Sequence, residues 1–272
     1  MNKYKLIASD LDGTLVGSDM KLSRENKIAI KELSELGVQI VPATGRTLCE
    51  MLEVYNLPEI RYLIYSNGAA IYDKKTGENI FMGLNDELTR FVFDALEKYD
   101  VLNVIHKDGK TYADKAKVQN VRDYNVNYNV EYLVTNCCIR DEHFKETFLS
   151  GGLESLSVFF KSQKDQEECF DILKENPDLY AVKGWQCNLE IFCKEAGKGS
   201  SVKILADKLG IDMKEVISIG DSDNDKQMTL MAGLGLVCQN GCDSLKEVAD
   251  KVICTNDEHV IDYVKKNYFD NN

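Results

Sequence analysis

Asp10-Leu11-Asp12-Gly13-Thr14-Leu15 follows directly on the apolar run from Tyr4 to Ala8. Such a run is typical of a buried strand, so the two carboxylates stand where that strand leaves its sheet. In open α/β sheets, ligands bind in the crevice beyond the carboxyl ends of the strands. Two aspartates one residue apart in a partly dry cleft need a cation to stay ionised, although Asp-Gly is also an ordinary turn. Alone, the stretch therefore fits either a turn or an acidic site.

The size and charge of the chain limit the classes of function that fit. It has 272 residues, 44% of them hydrophobic, which is enough for one large domain or two modest ones. The formal net charge of −12 argues against non-specific binding to nucleic acid and against docking on anionic membranes. No apolar run is long enough for a membrane span or a signal peptide, so we expect a cytoplasmic protein. The sequence leaves the oligomeric state open.

The cysteines and histidines form no pattern typical of a functional site. The nine cysteines include no Cys-x-x-Cys pair, which argues against a zinc site and favours small buried side chains. We expect structural or surface roles for the remaining residues that invite a functional interpretation, which are His106, His143, His259, Trp185, Lys161 and Lys183.

Strand-like and helix-like segments alternate at both ends of the chain, which predicts an α/β fold with a Rossmann-like, doubly wound parallel sheet. In the first part we predict strands at 4–8, 38–41 and 62–65, helices at 23–36 and after Arg46, and a hairpin over 70–82. In the last part we predict a helix that ends at Gly210 and strands at 216–219, 234–237 and 251–253. Between these parts the pattern is typical of a small α+β module with an antiparallel sheet. The predicted domains are the core at 1–82 and 185–272, and an inserted cap at 83–184.

Polar groups follow the predicted strand ends at three further places. Thr44 and Gly45 open a helix, Lys198 precedes a helix, and Gly220-Asp221-Ser222-Asp223-Asn224-Asp225 follows a buried strand. Each has an ordinary alternative, namely a helix cap, a surface lysine and a turn. However, a lysine at a helix N-terminus is disfavoured by the helix dipole unless an anion lies nearby. Because all these groups fall at the same end of successive strands, we predict that they form one site.

Phosphoryl transfer is the chemistry that needs this set of residues. A phosphate dianion repels a carboxylate nucleophile, so the site needs a hard cation and a placed ammonium. Mg²⁺ prefers carboxylate, water and phosphate oxygens. Asp10 would attack phosphorus to form an aspartyl-phosphate. Asp12, among neighbouring carboxylates, would protonate the leaving alcohol and then help to activate water.

At these positions the chain resembles the haloacid dehalogenase superfamily of phosphatases, and within it the Cof-type branch. The matching motifs run from end to end of the chain: Asp10-Leu11-Asp12-Gly13-Thr14, Ala43-Thr44-Gly45-Arg46, Ser66-Asn67-Gly68-Ala69, Lys198-Gly199, and Gly220-Asp221 with Asn224-Asp225. The resemblance implies a Rossmann-like core and an inserted α/β cap that closes over a small phosphorylated metabolite. It implies Mg²⁺ as the cofactor.

The resemblance also implies a role for each matching residue. Asp10 matches the nucleophile and a metal ligand, Asp12 the acid/base with its main-chain carbonyl on the metal, and Asp221 the third protein ligand of the metal. The residues that match groups which hold the phosphate or orient other parts of the site are Thr44, Gly45, Asn67, Gly68, Lys198, Asn224 and Asp225. Of these, Asp225 matches a residue that orients the water ligands of the metal.

Two segments depart from the family pattern. The usual Gly-Asn-Ala is replaced by Cys238-Gln239-Asn240-Gly241, and the usual Asp-Gly-Val near the C-terminus is replaced by Glu258-His259-Val260. Arg46 could steer phosphate or could face solvent from its helix.

Three functions fit these residues. The leading one is a Mg²⁺-dependent phosphatase for sugar phosphates or phosphorylated cofactors. A sugar phosphomutase or phosphotransferase would share the aspartyl-phosphate and would release an isomerised product instead of free phosphate. A non-catalytic protein that binds a phosphorylated metabolite would not need Asp10 beside Asp12.

Overall fold

The computed structural model describes residues 2–126, 139–141, 147–184 and 187–270, and these divide into two compact units. The core unit consists of Met1–Ile80 and Gly197–Asn272, and the insertion unit consists of Phe81–Ala196. Cys137, Cys138, His143 and Trp185 lie outside the described residues. No helix among the described residues is long and apolar enough to cross a bilayer.

The strands and helices of the two units are numbered together in the order of the chain. The strands are β1 Leu6–Ser9, β2 Gln39–Pro42, β3 Tyr62–Tyr65, β4 Ala70–Asp73, β5 Glu78–Phe81, β6 Val101–Lys107, β7 Lys110–Asp114, β8 Ile139–Asp141, β9 Ser155–Phe160, β10 Leu179–Lys183, β11 Asn188–Cys193, β12 Val216–Gly220, β13 Leu234–Val237 and β14 Lys251–Val252. The helices are α1 Arg24–Glu35, α2 Leu52–Tyr55, α3 Asp86–Leu96, α4 Lys115–Val118, α5 Gln163–Leu173, α6 Lys198–Leu209, α7 Lys226–Met231, α8 Asp243–Lys246 and α9 Val260–Tyr268.

The core unit is built on a parallel sheet with the strand order β14-β13-β12-β1-β2. β1 and β12 are buried along their whole length. Each is apolar because both faces of a parallel sheet are covered. Helix α1 illustrates how the sequence determines where a helix of the core unit begins, which face it buries and where it ends. Ser23 caps its N-terminus, Ala29, Ile30 and Leu33 are buried along one face, and Gly37 follows its end at φ +82°.

The third predicted strand of this sheet pairs differently from what its position in the chain indicates. β3 runs antiparallel to β4 in a separate three-stranded sheet, and a single parallel bridge, Ala43 to Ile64, connects it to the chain after β2. β3 therefore has β4 along one edge, and on the side of β2 it makes only this bridge among the described residues, with the N–H of Thr44 donating to the carbonyl of Ile64 at 3.0 Å. The helix predicted after Arg46 is also shorter, because a 3₁₀ turn at Leu48–Glu50 precedes α2.

The insertion unit is a largely antiparallel sheet with two longer helices over one apolar cluster and shorter helical segments over another. Its strand order is β10-β11-β9-β6-β7-β8, in which only β7 and β8 are parallel. Helices α3 and α5 pack over one apolar cluster. Alternate residues of the strands face a second, smaller cluster that includes Leu102, Val104 and Phe159. The predicted fold class, a parallel-sheet core with a separate α+β module, is confirmed.

The insertion unit extends past the predicted boundary at residue 184. β11 pairs with both β10 and β9, so the sheet needs one more strand before the chain returns to the core unit at Gly197. Asn188-Leu-Glu-Ile-Phe-Cys193 alternates imperfectly, and for that reason it was not predicted as a strand. Within the described residues, Lys161 pairs with Asp100, and Lys183 lies over the ring of Phe170, which agrees with structural roles for both lysines.

His259 occupies a left-handed backbone conformation, at φ 64° and ψ 69°, where the family pattern has glycine. This conformation costs an L-residue with a Cβ roughly 1–2 kcal/mol. We therefore expect His259→Gly to raise the free energy of unfolding in urea by about 1 kcal/mol. The control is His259→Ala, which removes the same imidazole and keeps the Cβ. An equal gain from the alanine variant would show that the side chain, and not the backbone, is the source of strain.

Candidate active site

Asp10 lies at the end of β1, at the centre of the parallel sheet. Its backbone N–H donates to the carbonyl of Ile219 on the neighbouring strand at 2.9 Å, which continues the sheet register by one residue. The residue is only 4% exposed. The chain then turns through Gly13 at φ +77°, and a Cβ there would lie 2.5 Å from Oδ2 of Asp221. Glycine is therefore required where the loop passes Asp221.

Lys198 is the first residue of α6, and its ammonium is buried against two carboxylates. Its side chain is 1% exposed, and Nζ donates to Oδ1 of Asp10 at 2.6 Å and to Oδ1 of Asp225 at 2.7 Å. Burial by itself lowers the pKa of Lys198, but the two carboxylates outweigh burial and raise the pKa above its usual range. The lysine therefore stays charged at the unfavourable end of its helix.

Asp225 is fully buried in the 3₁₀ turn Asp223–Asp225, and both of its oxygens are engaged. Oδ1 accepts from Lys198, and Oδ2 accepts from the backbone N–H groups of Asp221 and Ser222 at 2.9 and 3.1 Å. These bonds use the carboxylate to shape the loop and to orient the lysine. Asp225 is consequently poorly placed to give an oxygen to a metal, which fits a role outside the direct ligand set.

Asp221 lies beside Asp10 and Thr14. Its Oδ1 accepts from the hydroxyl of Thr14 at 3.2 Å. Burial raises the pKa of Asp221, and the nearby charge of Asp225 adds to that effect. Thr14 belongs to the motif that begins at Asp10, but its contact with Asp221 could not be predicted, because a threonine after Asp-Gly is also an ordinary turn residue.

Asp10, Asp221 and Asp225 form an acidic cluster whose ligand oxygens all lie within 4.8 Å of one another. With Lys198, the ionised cluster carries a charge of −3 + 1 = −2. Burial raises the pKa of Asp10 to about 8, and the charges of Asp225 and Asp221 contribute in the same direction, while Lys198 opposes them. One divalent cation would balance this charge.

The donor set fits Mg²⁺, which takes hard oxygen ligands and retains waters. Carboxylate oxygens of Asp10 and Asp221 are available, and the carbonyl of Asp12 accepts no hydrogen bond within the described residues. These three groups would hold the ion. Asp225, with both oxygens engaged, would lie behind them.

Asp12 lies against a guanidinium. Arg46 donates to both oxygens of Asp12, from Nε at 2.9 Å and from Nη2 at 2.5 Å. The Asp12 side chain is 44% exposed, in contrast to buried Asp10. The surroundings of Asp12 thus include a guanidinium as well as the acidic residues near it in the sequence. The sequence left Arg46 between phosphate steering and solvent, and its partner in this structure is Asp12.

The second group of predicted residues surrounds Thr44 and Asn67. Thr44 is 1% exposed, and its carbonyl accepts from the N–H of Asn67 at 2.9 Å. Asn67 has φ 54°, and its side-chain oxygen accepts from Nδ2 of Asn224 at 3.0 Å. Within the described part of the chain, the N–H of Gly45 donates to no protein acceptor. It is therefore available to an anion at this edge of the sheet.

Gly68 brings the two groups together. It has φ +89°, and a Cβ there would lie 2.3 Å from the carbonyl oxygen of Gly197, the residue before Lys198. Ser201 of α6 also donates to the carbonyl of Gly68 at 2.7 Å. All ten predicted site residues therefore lie in the core unit, at the carboxyl edge of its strands, in two adjoining groups. Their catalytic and binding roles remain predictions.

Comparisons with known proteins agree with this geometry. The sequence profile of haloacid dehalogenase-like hydrolases matches residues 7–264. The chain is 28% identical to phosphatase YwpJ of Bacillus subtilis, over 96% of this chain and 99% of that protein. It is 30% identical to 5-amino-6-(5-phospho-D-ribitylamino)uracil phosphatase YcsE of the same organism, over 93% and 91%. The solved structure of a haloacid dehalogenase-like hydrolase from B. subtilis is similar at a TM-score of 0.76 and 26% identity, covering 97% of this chain and 99% of that one.

Proposed function

The chain belongs to the haloacid dehalogenase-like hydrolases and is a phosphatase, and from this premise we propose that it hydrolyses small phosphorylated metabolites with Mg²⁺ through an aspartyl-phosphate on Asp10. The observation that carries the proposal is the buried cluster of Asp10, Asp221, Asp225 and Lys198. A relative named as a phosphatase of a ribityl phosphate supports a sugar phosphate or a phosphorylated cofactor precursor as substrate. The cytoplasmic location stays a prediction.

The first half of the reaction transfers the phosphoryl group to the protein. A carboxylate oxygen of Asp10 attacks phosphorus, the bond from phosphorus to the ester oxygen breaks, and Asp12 gives its proton to the departing alcohol. Mg²⁺, held by Asp10, Asp221 and the carbonyl of Asp12, would supply positive charge that offsets the charge of the phosphate. Lys198 keeps Asp10 oriented, and the hydroxyl of Thr44 and the N–H of Gly45 hold the phosphate oxygens.

The second half returns Asp10 to its starting state. Water gives a proton to Asp12 and attacks phosphorus, the bond from phosphorus to Asp10 breaks, and free phosphate leaves. Arg46 donates to both oxygens of Asp12 and so fixes the orientation of this carboxyl group beside the site. Because both oxygens accept from Arg46, one of these hydrogen bonds must open before that oxygen can exchange a proton with the alcohol or with water.

The test is phosphate release by the purified protein from p-nitrophenyl phosphate and from a panel of sugar phosphates and phosphorylated cofactors. We expect hydrolysis with Mg²⁺, and a loss of about a hundredfold or more in EDTA, because a metal ion supplies several kcal/mol of charge stabilisation. Excess Mg²⁺ should restore the rate. Hydrolysis that EDTA leaves unchanged would contradict the metal assignment. An isomerised sugar phosphate without free phosphate would instead favour a mutase.

A further inference from the structure

Asn240 is exposed, yet both ends of its side-chain amide are hydrogen-bonded to the backbone of distant segments. Its Nδ2 donates to the carbonyl of Gly13 at 2.8 Å, and its Oδ1 accepts from the N–H of Asn256 at 3.0 Å. Water satisfies most exposed amides, so an amide engaged at both ends is held in one orientation. Asn240 therefore ties the loop after β1 to the segment after β14.

The hydrogen bond from Asn240 reaches the loop after β1 at Gly13, which lies beside the Asp221 carboxylate. Gly13 has no room for a Cβ beside the Asp221 carboxylate, and the next residue, Thr14, donates its hydroxyl to that carboxylate. The orientation of the Gly13 peptide thus determines how far the loop stands from Asp221. The Asp12 carbonyl belongs to the preceding peptide, so a shift of Gly13 would also move the segment that carries this carbonyl.

The loop that carries Asn240 also holds the other side of the acidic cluster. The N–H of Cys242 donates to the carbonyl of Asp221 at 2.8 Å, and the N–H of Cys238 donates to the carbonyl of Gly220 at 3.0 Å. A single short loop, Cys238–Cys242, therefore contacts both the segment that carries Asp10 and the segment that carries Asp221. A loop that is hydrogen-bonded to both segments can fix the distance between the two metal ligands that they carry.

We propose that Asn240 is a positioning residue for the metal site. It holds the Asp10–Thr14 loop at the distance from Asp221 that a divalent cation bridges, and it does so without contacting the reacting atoms. The inference rests on the proposed function, since it requires that this cluster binds Mg²⁺.

The test is isothermal titration calorimetry of the full-length protein with Mg²⁺ alone and no substrate. For Asn240→Ala we expect the dissociation constant for Mg²⁺ to rise about three- to tenfold, which corresponds to the loss of one hydrogen bond. The matched control is Asn256→Ala. This variant removes the hydrogen bond from the Asn256 side chain to the carbonyl of Val16, at 3.1 Å. It keeps the backbone N–H of Asn256, which donates to Oδ1 of Asn240. Its dissociation constant should stay within about twofold of the wild type, a change smaller than one hydrogen bond.

A merely structural role gives a different result. It would lower the urea midpoint of both variants and leave both Mg²⁺ affinities unchanged, and that outcome would overturn the proposal. An equal loss of Mg²⁺ affinity in Asn240→Ala and Asn256→Ala would overturn it as well. If the wild type itself binds no Mg²⁺, the proposed function fails first. If the wild type binds Mg²⁺ and Asn240→Ala binds it equally well, only the assignment of Asn240 fails.

Discussion

Asp10→Asn is expected to lower the turnover number for phosphate release by about 10³- to 10⁶-fold, the range found when a catalytic nucleophile is removed. The substitution keeps the size and shape of the side chain and removes its nucleophilic oxygen. The amide oxygen can still accept from Lys198, so the surrounding site should persist. Phosphate release from p-nitrophenyl phosphate in Mg²⁺ measures the effect.

The control for this variant is Asp207→Asn, which changes an exposed aspartate that pairs only with Lys203 within the described residues, and we expect it to keep full activity. Mass spectrometry of acid-quenched samples adds a direct readout of the intermediate. A phosphoryl adduct should appear on the peptide that contains Asp10 in the wild type and be absent from Asp10→Asn. Turnover by Asp10→Asn within tenfold of the wild type would contradict the nucleophile assignment.

The same variant should change how the stability of the metal-free protein depends on pH. Between the ordinary Asp pKa of 3.8 and the raised value of about 8, native Asp10 holds a proton that the unfolded chain has lost. The native state then binds more protons, so the free energy of unfolding falls as the pH rises through this window. Asp10→Asn lacks this contribution. In EDTA, its stability relative to the wild type should grow from pH 4 to pH 8, as urea unfolding at several pH values would show.

The parallel sheet could be predicted from the sequence because its strands are apolar on both faces and are followed by polar residues. The pairing of β3 could not be predicted, because strand periodicity does not identify a strand's partner. Strand β11 was missed for a related reason. Its Glu190 interrupts the apolar pattern and is nevertheless partly buried, and desolvation raises its pKa.

The acidic cluster could be predicted because parallel strands carry their following loops to one edge of the sheet. That rule places Asp10 and Asp221 together without knowledge of any side-chain conformation. Lys198 follows a strand of the insertion unit, and it was added because a lysine at a helix N-terminus needs an anion nearby. The pairing of Asp12 with Arg46 depends instead on side-chain rotamers, which the spacing of residues does not determine. The hydrogen bond from Asn240 to Gly13 could not be predicted, because it joins residues 227 positions apart in the sequence.

Lys198→Met is expected to have the second large effect, on stability and activity together. Methionine fills the channel of the lysine and leaves Asp10 and Asp225 buried without their shared donor. Removing one partner of a buried ion pair costs about 3–5 kcal/mol. The pKa of Asp10 is already raised, so protonation can relieve this cost at low pH. The loss in urea unfolding should therefore be large at pH 8 and small at pH 5, and phosphate release should fall at least about a hundredfold.

The double variant Lys198→Met with Asp225→Asn separates the structural effect of Lys198 from its chemical effect. The second substitution removes one of the unpaired charges and keeps an amide oxygen for the N–H groups of Asp221 and Ser222. We expect it to recover a good part of the stability at pH 8 and none of the activity, because a phosphate dianion still lacks the ammonium. If activity recovers along with stability, Lys198 acts only by stabilising the fold, and the proposal that its ammonium takes part in the reaction is wrong. If the double variant is no more stable than Lys198→Met, the two carboxylates do not share the lysine in solution.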